Sequence, residues 1–119
     1  FGTKLRSAYA ASKHALHGYF DSLRSEVYDK NIDITMVCPG FIKTQVSVNA
    51  LTATGKNQGI MDDAQANGMS AEKCALEIVK AIKDKKEEVY IGGKETKAVL
   101  LKRFLPAFFS KKIREAKVV

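Results

Sequence analysis

Apolar side chains recur at three- and four-residue intervals through Ala8, Ala11, Ala15, Leu16, Tyr19, Phe20, Leu23 and Val27. That period is the mark of an amphipathic helix, predicted here over residues 7–29 with Ser7 as its N-cap. Gly18 falls inside it and costs about 1 kcal/mol relative to alanine. The pattern then breaks at "KNID" and becomes a nearly continuous β-rich run, "IDITMVCPG". This reads as a strand over 32–38, of the kind covered on both faces in a parallel sheet, ended by Pro39-Gly40. Residues 41–69 carry no strong period and read as a mobile segment with one short helix. Ser70 is placed to cap a second helix at about 71–84, with Ala75, Ile78, Val79 and Ile82 as its apolar stripe. "EEVYIGG" predicts a strand at 88–91 stopped by two glycines, and "KAVLLKRFLPAFFSKKIREA" a basic amphipathic helical tail at about 94–119, kinked at Pro106.

Helix, strand, helix, strand, helix is the alternation of an α/β protein. Two strands do not make a free-standing sheet, so the pattern predicts neighbours outside this sequence. The 119 residues suffice for one domain. The chain opens on Phe1, close to its most informative motif, which adds to the expectation of a piece of a longer protein without a signal peptide.

Composition changes this picture little. The chain is 45% hydrophobic and 28% charged, a globular balance. Its net charge of +7 is unevenly placed: residues 94–119 hold eight basic and two acidic side chains, whereas residues 1–69 hold seven and six. The excess belongs to the tail, where it suits a membrane surface or a partner subunit. It lacks the motif and stacking aromatics of nucleic-acid binding. No apolar run approaches the roughly 20 residues that span a bilayer. Cys38 and Cys74 match no Cys/His metal spacing and read as buried reduced thiols, with no metal expected.

The candidate chemistry lies in "SAYAASKHAL". Residues four apart on a helix share a face, so Tyr9 and Lys13 project together. A phenol is a poor proton shuttle near neutrality, and a cation beside it favours the phenolate. At about 4 Å and an effective dielectric of 20 the attraction is roughly 4 kcal/mol before solvent screening. Such a pair can serve as a general acid/base. Spacing alone is not specific, since Tyr90 and Lys94 repeat it; there Gly92-Gly93 should end the regular structure, and no function is assigned. His14 and His17 sit off the Tyr9 face and read as packing or surface residues.

"YAASKHAL", followed by a charged helix, a buried strand and "PGFIKT", resembles the active-site half of the short-chain dehydrogenase/reductase family. The likeness is strong over residues 7–46 and looser to about 92. Pro-Gly with Thr44 four residues after the glycine separates it from the epimerase and dehydratase branch. The resemblance implies the C-terminal portion of a doubly wound, Rossmann-type parallel sheet. It implies an oxidoreductase exchanging hydride between NAD(P)(H) and a carbonyl or secondary alcohol. NADP is the leading cofactor, with NAD the other candidate. Tyr9 would be the proton donor or acceptor, and Lys13 would hold the nicotinamide ribose and activate Tyr9. Pro39 and Gly40 would line the cofactor edge, Ile42 would meet the carboxamide, and Thr44 the carboxamide or pyrophosphate. The family's glycine-rich turn, catalytic serine and active-site asparagine lie upstream of residue 1, so the chain alone is expected to be inactive. Residues 46–68 would cover a small, lipid-like substrate. The long helix would pack across a two-fold axis in a homodimer or tetramer through Ala15, Tyr19 and Leu23. The expected location is cytoplasmic, with the tail at a membrane surface. The competing reading is an inactive relative that binds through that tail.

Overall fold

The computed structural model describes residues 1–116. The predicted long helix is α1, Ser7–Glu26, continued by a 3₁₀ turn over Tyr28–Lys30 that ends on Asn31 in the left-handed region. Asparagine tolerates that conformation better than most residues. The N-cap is Arg6 and makes no side-chain cap, so Ser7 is the first helical residue and not the cap. Its entry is set by Leu5, whose φ of 60° turns the chain into the helix.

The strand β1 spans Met36–Pro39, four residues later at its start than the periodicity suggests. Pairing explains the delay. β1 runs parallel to β4, Glu88–Ile91, with Met36 opposite Glu88 and Pro39 opposite Ile91, so the ladder begins where β4 begins. The residues before it are fixed by a side chain instead: Arg24 Nη2 donates to the carbonyls of Ile34 (3.3 Å) and Glu87 (3.0 Å). β1 is half-buried and not covered on both faces. Pro39 closes the strand as its last residue, and the Gly40 N–H donates onward to Ile91 O at 2.8 Å.

Residues 41–69 are more ordered than their composition suggests. β2 (Ile42–Lys43) pairs in parallel with β3 (Met69–Ser70), and two short helices, α2 (Val46–Asn49) and α3 (Asp63–Ala66), lie between. The buried Ser47 hydroxyl bonds Gln65 Oε1 and ties α2 to α3. A bridge between Leu51 and Asn57, and Gly59 N–H on Val48 O at 3.0 Å, close the loop on itself.

Ser70 does cap α4, Ala71–Lys83, its Oγ accepting from Lys73 N–H at 3.3 Å. The far end is a Schellman motif: Lys86 N–H reaches Ala81 O and Lys85 N–H reaches Ile82 O, with Lys85 at φ 51° where glycine is usual. The inward line of α4 is Cys74, Ile78 and Ala81; Ala75, Val79 and Ile82 of the expected stripe are exposed. Only the face that meets β3 and β4 is covered, and the helix carries apolar residues on more than that face. The tail forms a 3₁₀ turn at Lys94–Thr96, then α5 (Lys97–Phe104) and α6 (Pro106–Glu115), broken at Leu105 as Pro106 requires. Residues 117–119 of the predicted tail lie outside the described residues. Phe109 is buried and meets Phe1 edge-on at 5.1 Å. Cys74, Ala81, Ile91 and Phe109 make up the buried apolar set among the described residues, so the core is thin and large apolar side chains such as Tyr19 and Phe104 stay exposed. The α/β order and parallel strands are those of part of a Rossmann-type domain.

Candidate active site

One turn of α1 brings Tyr9 and Lys13 to the same wall of an open groove of about 1100 Å³. Lys13 Nζ stands 5.5 Å from the Tyr9 ring centroid, over the ring face. Tyr9 is exposed, at 59%. The small residues between them leave the face open. Ser12 turns its hydroxyl back onto Tyr9 O at 2.8 Å; His14 lines the groove, but its Nδ1 is held within α1 by Ala10 O at 2.7 Å. His14 thus has the local role expected of it.

The opposite wall is the carboxyl end of β1. Pro39, Gly40 and Phe41 line the groove there. Ile42 and Thr44 do not: Ile42 pairs with Met69 in the β2–β3 ladder, and exposed Thr44 accepts from Val46 N–H at 3.4 Å. Of the six residues singled out by sequence, four line the groove and two do not.

The structure adds a residue that the sequence did not point to. Glu95 Oε1 accepts from Phe41 N–H at 3.1 Å and Gly93 N–H at 2.8 Å, bridging the ends of β1 and β4. Partial burial pushes its carboxyl up, but the backbone N–H groups of Gly93, Glu95 and Phe41 outweigh this and hold it below the usual range. The three glycines here make room for it. A Cβ on Gly40 would stand 2.2 Å from Glu95 Oε1, and one on Gly92 2.7 Å from the same atom. The only sequence signal was an acidic residue two positions beyond a glycine pair.

Deeper in the groove, α1 meets the sheet at a second polar cluster. His17 Nε2 is 3.7 Å from Cys38 Sγ, and His17 Nδ1 is 4.0 Å from Glu88 Oε2. The Tyr90 hydroxyl donates to Glu88 Oε1; that bond, then burial and the Glu88 charge, push the phenol up to about 12. Burial raises the Cys38 thiol, and Glu88 adds to the effect. Cys38 is thus half-buried, while Cys74 is buried as expected. His17 packs against the sheet, as read from the sequence, but its two partners were not legible there.

The sequence model of the family described as short chain dehydrogenase matches residues 1–55, a span that holds both the Tyr9–Lys13 and the Pro39–Thr44 motifs. A "Dehydrogenase/reductase SDR family member 7B" of Xenopus tropicalis is 43% identical over 105 residues, covering 87% of this chain and 34% of the relative. The chain belongs to the short-chain dehydrogenase/reductase family. A "Dehydrogenase/reductase SDR family protein 7-like" of Drosophila melanogaster is 41% identical over 92% of this chain and 34% of its own length. One of the same description from Anopheles gambiae is 47% identical over 77% and 29%. The chain spans about a third of the length of the curated relatives it matches. No helix among the described residues is long and apolar enough to cross a membrane.

Proposed function

We propose that the full-length protein containing these residues is an oxidoreductase of the short-chain dehydrogenase/reductase family that interconverts a carbonyl and a secondary alcohol with NADP(H), or with NAD(H). The observation that carries this reading is the placement of Tyr9 and Lys13 on one groove wall, facing the carboxyl end of a parallel strand. Doubly wound sheets bind their ligands at that edge. The groove residues suit the nicotinamide half of such a cofactor: an ammonium to meet ribose hydroxyls, and the Pro39-Gly40 edge at the carboxyl end of β1. The cofactor, when bound, supplies the hydride chemistry. Tyr9 Oη gives the proton to the carbonyl oxygen, or takes it from the alcohol. Lys13 stabilises negative charge developing on that oxygen and holds the ribose. Pro39 and Gly40 form the edge along which the ring lies. Ile42 would meet the carboxamide and Thr44 the carboxamide or pyrophosphate, although neither lines the groove. Leu16, Phe41 and Val46 give the groove apolar stretches that suit a lipid-like substrate.

The α1 face carrying Ala15 and Tyr19 is exposed, with Leu23 half-buried beside it, and this supports assembly through α1 as a homodimer or tetramer. The tail supports contact with an anionic membrane surface. Leu100, Phe104, Leu105 and Phe108 are exposed at the α5–α6 corner, and Lys112 Nζ lies 5.9 Å from the Phe108 ring centroid. Lysines are depleted from the cores of protein interfaces but common beside apolar residues that enter a lipid headgroup layer.

The deciding experiment incubates the full-length protein with NADPH or NADH and a panel of carbonyls, and follows nicotinamide absorbance. Turnover that disappears in Tyr9→Phe, while cofactor binding persists, is the expected result. Absence of turnover with every carbonyl and both cofactors, or unchanged turnover in Tyr9→Phe, would overturn the proposal.

A further inference from the structure

We propose that His17, Cys38 and Glu88 form a binding site for a divalent transition metal of the zinc class, clipping α1 to the β1–β4 sheet. The three donors come from three elements, and each can offer one ligand atom, all within 4.8 Å of one another. A tetrahedral zinc ion with a thiolate and an imidazole holds sulfur and nitrogen about 3.5 Å apart, given bond lengths of about 2.3 and 2.0 Å. The His17 Nε2–Cys38 Sγ separation is 3.7 Å, already within that geometry. Glu88 stands further off and is the most exposed of the three, so it is the member that closes on the ion.

Donor chemistry selects the metal. Thiolate with imidazole excludes magnesium and calcium, which take oxygen ligands, and suits zinc or cobalt. Charge closes as well. The ion takes a thiolate, a neutral imidazole and a carboxylate, and the thiol proton leaves to solvent. Two positive charges then meet two negative ones, which limits the desolvation cost in a half-buried place. Tyr90 supplies an outer contact, since its hydroxyl holds Glu88 Oε1; Oε2 lies 4.0 Å from His17 Nδ1, the ring nitrogen turned from Cys38, and moves to the Nε2 side to complete the set. Outer partners of this kind orient metal-bound carboxylates. His17 and Cys38 line the groove, which gives an ion its entry path, and water would be the fourth ligand. The site lies two turns along α1 from Tyr9, so an ion there fixes the wall that carries Tyr9 and Lys13. It does not depend on the proposed hydride chemistry.

The test titrates the metal-free, reduced full-length protein with cobalt(II), with zinc as competitor and magnesium as the negative probe. Wild type should show near-ultraviolet thiolate-to-cobalt charge transfer that zinc abolishes and magnesium leaves unchanged. Cys38→Ser should lose that band, and Cys74→Ser should keep it. His17→Gln, on the half-exposed helix face, should weaken affinity at least about tenfold, and Tyr90→Phe about tenfold. Zinc should raise the thermal midpoint of wild type and not of His17→Gln. No charge-transfer band in wild type, a band that survives Cys38→Ser, or unchanged affinity in His17→Gln would each overturn the proposal.

Discussion

Removing the Glu95 carboxylate should loosen the turn after β1 in a pH-dependent way. In Glu95→Ala the N–H groups of Phe41 and Gly93 lose their shared acceptor. Hydrogen bonds to a charged group contribute roughly 1.5–3 kcal/mol each when water is excluded. Glu95 is only half-buried, so water replaces part of what is lost. The expected net destabilisation is about 1–2 kcal/mol at neutral pH. The sign with pH follows from the direction of the shift. The folded carboxyl is held below its ordinary 4.5, so its stabilisation is fully present above that value and fades as pH falls through the folded value. Urea unfolding of the full-length wild type and of Glu95→Ala should therefore differ at pH 7 and converge in strong acid, with the midpoint moving and the m-value constant. Glu95→Gln keeps an amide oxygen for both N–H groups and should fall between the two, without the acid-linked slope.

Gly40→Ala offers an independent route to the same loss. Its Cβ would collide with Glu95 Oε1, a movable side-chain atom, so the carboxylate would be expelled and the strand kept. The two substitutions should then be strongly non-additive in a double-mutant cycle, the second costing little once the first is made. Equal stability of wild type and Glu95→Ala at pH 7, or simple additivity with Gly40→Ala, would refute this reasoning.

Other substitutions test other parts of the structure. Tyr9→Phe in the full-length protein should lower turnover by about 10²–10⁴-fold, the range for a lost general acid/base, with the cofactor dissociation constant little changed by fluorescence titration. Lys85→Gly should stabilise by up to about 1 kcal/mol, because glycine relieves the positive φ at the end of α4, and a rise in thermal midpoint would report it. Gly68→Ala should destabilise by about 1–3 kcal/mol, since its Cβ would stand 2.4 Å from the Phe41 carbonyl oxygen and the backbone there cannot yield. Phe104→Ser with Lys112→Glu should reduce sedimentation of the full-length protein with phosphatidylserine vesicles, and unchanged sedimentation would count against membrane contact through the tail.

What could be read from the sequence is what local physics decides. The 3.6-residue period found α1, a serine hydroxyl found the start of α4, and paired glycines found the end of β4. What could not be read depends on long-range pairing. The start of β1 is set by a partner strand 52 residues later in the chain, through the Met36–Glu88 register. The buried face of α4 is chosen by the strands it meets, so Cys74 and Ala81 go inside where Val79 and Ile82 were expected. Residues 41–69 lack a period because polar contacts such as Ser47–Gln65 hold them. Beyond an acidic residue just after a glycine pair, nothing local marked Glu95, because its partner Phe41 is 54 residues away.

That same register places the chemistry. Parallel pairing sets Pro39 against Ile91, so the glycines that follow each strand, Gly40 and Gly92, arrive at the same level and leave the space that Glu95 fills. Two residues before those glycines the pairing sets Cys38 against Tyr90, and four before them Met36 against Glu88. Side chains alternate along a strand, so Cys38, Glu88 and Tyr90 share the face that α1 covers with His17. A slip of one residue would turn Cys38 away from its present neighbours and misalign the glycine ends together. The groove edge and the His17–Cys38–Glu88 cluster are therefore consequences of a single alignment of two four-residue strands. A change that weakens that alignment should disturb both at once, whereas Glu95→Ala should disturb the edge and leave the cluster able to bind cobalt.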